Sequence, residues 1–206
     1  MTMGEPVVID AGPALNFFAT NSERLMFSVV GQIAVPETVV GELLGKARLP
    51  RFAHAEKVWR KVQPTKLVEV LDDDPDDDAL DRAVRRLSSM PIEQRLRHPK
   101  DAGETMVIAH GVVRAEAGAD IVLLIDDGGG LDLAAREAAR LQRLARSDDR
   151  TGASANATTA CLRSGRRTCC RRESGSLRRI HERSSGSGMS ARCASDRSAS
   201  RPSAQR

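Results

Sequence analysis

Short apolar runs alternate with longer segments of mixed polarity along the first two thirds of the chain. Four runs are brief, rich in Val, Ile and Leu, and bounded by turn residues, as buried strands are; they cover residues 6–10, 32–35, 67–71 and 121–125. Between them, apolar residues recur every three or four positions, which predicts helices within residues 15–29, 37–46, 52–62, 80–87, 103–117 and 131–144. Strands alternating with helices predict an α/β fold with a central parallel sheet and right-handed crossovers.

Three connecting segments stand out by their composition. Residues 72–78 are all Asp except Pro75, and we interpret them as a solvated acidic loop, since they lack the closing Glu of an EF-hand. Residues 88–100 are basic and are predicted to be irregular. Residues 126–130, two Asp followed by three Gly, are predicted to form a loop after the fourth strand.

The composition changes near residue 147. Residues 147–206 contain 13 Arg and five Asp plus Glu, a charge of +8, which leaves −4 for residues 1–146 out of the net +4. All four Cys lie in this segment and none of the five Lys does. It has few large aliphatic residues and no periodicity, which predicts one folded domain (1–146) followed by a disordered Arg/Ser-rich tail (147–206). Such a tail also resembles the product of reading GC-rich DNA in a shifted frame, and the final strand expected after residue 144 is missing.

The sequence gives no indication of a membrane or secreted protein. Its apolar runs are too short to cross a bilayer, and the N-terminus lacks the charged-then-apolar pattern of a signal peptide. We therefore expect a cytoplasmic protein.

Acidic residues follow the predicted strand ends or open the predicted helices: Asp10, Glu42, Glu104 and the pair Asp126 and Asp127. In an open parallel sheet, ligands bind beyond the carboxyl ends of the strands. Carboxylates gathered there repel one another unless a divalent cation neutralises them. Oxygen ligands without His or Cys indicate Mg²⁺ or Mn²⁺ rather than Zn²⁺.

Four motifs in order resemble the PIN domain, the nuclease fold of VapC-type toxins, over about residues 6–145. The first is the strand that ends in Asp10, and the second is the helix that carries Glu42 after strand two. The third is Gly103-Glu104 at a helix start, where other branches of the family have Asp in a register that leaves Asp101 as a rival. The fourth is Ile125-Asp126-Asp127, although the family often has Thr in place of Ile125.

The resemblance implies a three-layer α/β/α domain that cleaves RNA phosphodiester bonds with Mg²⁺ or Mn²⁺. It implies the toxin of a type II toxin–antitoxin pair, with a cognate antitoxin as partner and a homodimer as a further option. The catalytic residues would be Asp10, Glu42, Glu104 and Asp127. Asp10, Glu104 and Asp127 would bind metal, with Asp126 and Asp101 as alternatives, and Glu42 would complete the cluster or position the nucleophile.

Less specific interpretations remain open for these residues. An acid at a helix start is more often a cap or a dipole partner than a metal ligand. Arg95, Arg97 and Lys100 could contact RNA phosphates or could form a solvated loop. The alternative function is a non-catalytic module, a degenerate PIN domain or a receiver-like domain acting through protein contacts. A receiver domain normally has an acidic pair at its first strand and a Lys at its last, and neither is found here.

Overall fold

The computed structural model describes residues 5–148 of the chain. Within that range the strands are β1 (Val7–Ile9), β2 (Ile33–Pro36), β3 (Val68–Leu71) and β4 (Leu123–Leu124). The helices are α1 (Ala11–Ala19), α2 (Glu23–Val30), α3 (Glu37–Lys46), α4 (Ala55–Val62), α5 (Asp78–Ser88), α6 (Ile92–Leu96), α7 (Ala102–Glu116) and α8 (Gly128–Asp148). A 3-10 turn at Pro50–Phe52 precedes α4. The predicted α/β succession of elements is confirmed.

The four strands form one parallel sheet in the order β3-β2-β1-β4. The chain therefore steps outward from β1 to β3 on one side and returns to place β4 on the other side of β1. Residue Val8 pairs with both Ala34 of β2 and Leu123 of β4. The strand order reverses between β1 and β4, and it is at such a reversal that open α/β sheets form a ligand crevice.

Helices cover the sheet in two groups, as the predicted three-layer α/β/α arrangement requires. Helix α1 packs with α2, α3 and α4, while α7 packs with α5 and α8 and α6 packs on α5. Helices α3 and α7 also contact each other directly. Helix α7 contacts β1, β2 and β4 and is buried along most of its length. The core is aliphatic, with one aromatic pair in which the rings of Phe18 and Trp59 lie 6.4 Å apart.

Two segments predicted as loops contain helix. Helix α8 begins at Gly128, inside the predicted 126–130 loop, because Asp127 caps it: its Oδ1 accepts from the Gly129 amide at 2.7 Å. That bond partly offsets the poor helix propensity of three successive glycines. Helix α6 lies within the predicted irregular segment, where the Ile92 amide donates to Asp81 Oδ1 at 2.9 Å.

The last helix is longer than predicted. Helix α8 extends to Asp148, whereas the helical pattern in the sequence ends at residue 144. The domain boundary at residue 146 stays a prediction. The predicted disorder of the tail from residue 149 onward lies outside the described residues. Within residues 5–148, β4 pairs only with β1 and forms an edge of the sheet.

No helix in the same range is long and apolar enough to cross a membrane.

One aspartate of the predicted solvated loop is buried. Asp73 is 6% exposed, and its Oδ2 accepts from the Thr38 amide at 2.7 Å and from the Thr38 hydroxyl at 2.5 Å. Its Oδ1 lies 2.8 Å from Nε2 of His110 on α7. Asp73 thus joins the end of β3 to the first turn of α3 and to α7, which the sequence pattern did not reveal.

Replacing Asp73 should therefore lower the stability of the protein, whereas replacing an exposed aspartate of the same loop should not. We expect Asp73→Ala to lower the free energy of unfolding by about 2–3 kcal/mol, because two partly buried donors of Thr38 lose a charged acceptor. Asp76→Ala, at an exposed position of the same loop, should stay within about 0.5 kcal/mol of the wild type. Urea unfolding of both variants is the measurement, and equal midpoints would contradict a structural role for Asp73.

Candidate functional site

The carboxyl ends of β1 and β4 place two acids side by side. Asp10 directly follows β1, and Asp126 follows β4 after the buried Ile125. The two segments remain paired up to this point, since the Asp10 amide donates to the Leu124 carbonyl at 3.0 Å. Both side chains therefore lie at the reversal of strand order, as the sequence-based prediction of an acidic site at the strand ends requires.

Gly12, in the first turn of α1, makes room for Asp126. A Cβ atom on Gly12 would overlap the Asp126 carboxylate and would lie 2.8 Å from its Cγ. The β1–α1 connection and the β4–α8 connection therefore approach each other closely only because residue 12 has no side chain. Sequence analysis placed Gly12 in a turn but did not identify this contact.

Glu42 reaches the site from α3. Its Oε1 accepts from the Gly103 amide at 3.0 Å, and its Oε2 lies 3.3 Å from Lys46 Nζ one turn later on α3. Glu42 thereby satisfies an amide in the first turn of α7, whose own N-cap, Asp101, has a left-handed φ of 56°. The two helices that carry Glu42 and Glu104 are joined by this bond.

Glu104, in the first turn of α7, packs against the start of α8. A Cβ atom on Gly130 would lie 2.6 Å from Glu104 Cδ. A Cβ atom on Gly129 would lie 3.8 Å from Glu104 Oε1 and 3.2 Å from Asp127 Oδ1. The glycines that open α8 therefore let Glu104 and Asp127 approach the same helix start.

Burial and mutual repulsion perturb the acids at this edge of the sheet. The pKa of Glu104 is raised to about 7, mainly by burial and also by the charges of Asp127, Asp10 and Asp101, against a smaller opposing effect of Arg95. Burial also raises the pKa of Asp10. The charges of Glu42 and Asp126 add to this rise in the pKa of Asp10, while the Ala11 amide and Lys46 oppose it. The predicted acids therefore act on one another electrostatically.

The donor set suits a hard divalent cation in chemistry and charge, because it consists of carboxylate oxygens. In the conformation described, no three acidic, His or Cys side chains of residues 5–148 converge on one point where an ion could be held. Glu42 is engaged by Gly103 and Asp127 by Gly129. Side-chain rotations would be needed to bring three oxygens onto a single ion.

The three basic residues predicted to contact RNA have different environments. Arg97 and Lys100 are exposed on the segment before α7. Arg95 is only 7% exposed, and its guanidinium is engaged inside the protein. A contact with RNA stays a prediction for all three residues. Arg97 and Lys100 are accessible for such a contact, whereas the Arg95 side chain is buried.

An apolar groove opens beside the acids. It encloses about 490 Å³ between α1, α2 and the end of β4, and Asp126 forms part of its wall. Two of its residues, Leu25 and Val29, are 60% and 73% exposed. Sequence periodicity assigned such residues to the apolar side of a helix, and it could not show that the side faces a groove.

Comparisons with protein-family models, with curated proteins and with solved structures found no match to this chain. The acidic residues and their surroundings are therefore the basis for a functional assignment.

The raised pKa of Glu104 predicts a pH dependence of stability. Its pKa is about 7 in the folded protein against 4.5 for an unperturbed Glu, so between these values the folded state holds a proton that the unfolded chain releases. Stability contributed by this proton is present below pH 4.5 and is lost as the pH rises to 7. In EDTA, we expect Glu104→Gln to melt progressively higher than the wild type across this window.

The matched control is Glu93→Gln, which removes an exposed carboxylate on α6. Its melting temperature should follow the wild-type curve at a constant offset from pH 4.5 to 7.5. Parallel curves for Glu104→Gln and the wild type would show that the Glu104 pKa is not raised in the folded protein.

Proposed function

We propose that this protein is a Mg²⁺- or Mn²⁺-dependent ribonuclease of the PIN type and the toxin of a type II toxin–antitoxin pair in the cytoplasm. The observation that carries the proposal is the gathering of Asp10, Glu42, Glu104, Asp126 and Asp127 where the strand order reverses. Burial and neighbouring carboxylates raise the pKa of Asp10 and of Glu104, which is costly, and such perturbed acids are concentrated at functional sites. The four motifs that resemble the PIN domain supply these same residues.

The proposed roles follow from where each side chain lies. Asp10, Glu104 and Asp127 are the proposed metal ligands, with Asp126 and Asp101 beside them. Glu42, which already holds the first turn of α7 through Gly103, keeps Glu104 in place. A bound divalent cation would supply a water of lowered pKa and would stabilise charge on the phosphate.

Surfaces next to the acids support the proposed partners. Arg97 and Lys100 precede α7 and can attract RNA phosphates toward Glu104. The apolar groove between α1 and α2 suits an antitoxin segment with an apolar face, and Asp126 at its wall suits a basic residue on that segment. A homodimer remains compatible with the exposed Leu25 and Val29.

The first test removes one proposed metal ligand. Asp10→Asn should lower Mn²⁺-dependent cleavage of a fluorescent single-stranded RNA by about 100-fold or more, because the ion loses a charged ligand. The far-UV circular dichroism should be unchanged, and EDTA should abolish wild-type cleavage. Cleavage that persists at full rate in EDTA, or in Asp10→Asn, contradicts the proposal.

A pair of glycine substitutions separates function from stability. A Cβ atom at residue 12 would meet only side-chain atoms of Asp126, so Gly12→Ala should displace this carboxylate and leave the backbone in place. The displacement should reduce cleavage by about tenfold or more. Gly45→Ala on α3 meets no atom within 4 Å and should raise the free energy of unfolding by about 0.5–1 kcal/mol.

Cleavage by Gly45→Ala should match that of the wild type. RNA cleavage rates and urea midpoints of both variants are the measurements. Equal cleavage by Gly12→Ala and Gly45→Ala would remove Asp126 and its surroundings from the site.

A non-catalytic or degenerate PIN-like or receiver-like module is the second candidate. It is favoured by the bonds of Glu42 to the Gly103 amide and of Asp127 to the Gly129 amide, since these bonds give both acids a structural role. Divalent cations that leave both the melting temperature and RNA unchanged would support this candidate. A rise in melting temperature with Mn²⁺, accompanied by cleavage, would support the ribonuclease.

A further inference from the structure

Arg95 is a buried arginine whose guanidinium bonds to uncharged groups. Its Nε donates to the Thr105 hydroxyl at 3.1 Å, its Nη1 to the His98 carbonyl at 2.9 Å, and its Nη2 to the Lys100 carbonyl at 2.6 Å. The residue is 7% exposed, whereas the side chain of Arg97 is 76% exposed and pairs with Glu93 one turn away. Burying a guanidinium is costly, so this one is held by specific contacts.

These contacts fix the segment that leads into α7. The two carbonyls belong to residues on either side of Pro99, and the Thr105 hydroxyl itself donates to the Asp101 carbonyl at 2.8 Å. The Thr105 amide donates to the same carbonyl at 3.1 Å. Asp101 adopts its left-handed conformation at this point, which costs free energy unless the surroundings hold it.

The start of α7 is also where the acidic site is assembled. The Gly103 amide donates to Glu42, and Glu104 projects from the same turn toward Gly130. A shift of residues 98–101 would move both groups together. The positive charge of Arg95 also opposes the rise in the Glu104 pKa, which indicates that the guanidinium lies near the acids.

We propose that Arg95 is a positioning residue of the acidic site, whose planar guanidinium holds residues 98–101 so that α7 begins at Ala102 and presents Glu104. The inference rests on the proposed function where RNA cleavage is the readout. It replaces surface contact with RNA as the main role of Arg95, and it assigns that role to the geometry of the guanidinium rather than to its charge alone.

The experiment compares Arg95→Met, Arg95→Lys and the control Arg60→Met in the full chain. Arg60 is exposed on α4, with Glu56 one turn away, so its loss removes an exposed cation from outside the α6–α7 segment. The readouts are kcat and KM for RNA, the rise in melting temperature caused by Mn²⁺, and trypsin cleavage after Arg97 and Lys100 located by mass spectrometry. A residue important for stability alone would not alter the Mn²⁺-induced rise.

We expect both Arg95 variants to lose kcat by about 10–100-fold because Glu104 is misplaced, and KM to rise because Lys100 lies in the segment that Arg95 holds. Trypsin should cut after Arg97 and Lys100 about tenfold faster in both, and the Mn²⁺-induced rise should shrink. Arg60→Met should match the wild type in each measurement. Lysine keeps the charge but not the planar set of donors, so Arg95→Lys should lie within about threefold of Arg95→Met.

Wild-type kcat, Mn²⁺ response and protease resistance in Arg95→Met would overturn the proposal, and wild-type behaviour of Arg95→Lys would assign the role to charge. If the wild-type chain cleaves no RNA, the proposed function fails, while protease resistance and the Mn²⁺ response still decide the role of Arg95. Should Arg95→Met not fold, Thr105→Val tests the same link by removing one acceptor, with Thr105→Ser as its rescue. Equal trypsin resistance in Thr105→Val and Thr105→Ser would then overturn it.

Discussion

Repulsion among carboxylates at the junction of β1 and β4 is the constraint on which the rest of this structure depends. Asp10 and Asp126 leave adjacent strands side by side, and Glu104 faces them from α7 with its pKa raised to about 7. Such a grouping opposes folding unless protons, cations or amide groups offset the charge. Three elements approach this edge through glycines, and a Cβ atom at Gly12 or Gly130 would collide with an acid.

Offsetting contacts come from helix starts and from one buried cation. The Gly103 amide binds Glu42, and the Gly129 amide binds Asp127, so two of the acids also cap helices. The less specific interpretation of an acid at a helix start therefore holds for these two residues alongside the proposed role at the site. The buried cation is Arg95, whose guanidinium donates to the His98 and Lys100 carbonyls just before α7.

The sheet and the site are coupled through the long helix α7. It lies against β1, β2 and β4, and it receives contacts from Glu42 at its start and from Asp73 at His110. A helix fixed at both its start and its middle presents Glu104 with little freedom. The packing of α7, rather than the acids themselves, therefore sets where Glu104 lies.

The sequence by itself determined the alternation of strands and helices, since aliphatic runs and helical spacing depend only on neighbouring residues. It also located the acids at strand ends, because Asp10 and Asp126 terminate apolar runs. Only the tertiary structure decided the order β3-β2-β1-β4, which depends on the pairing of residues far apart in the chain. The burial of Asp73 and Arg95 also depends on the tertiary structure. A charged residue in a polar stretch of sequence gives no local sign of the groups that will enclose it.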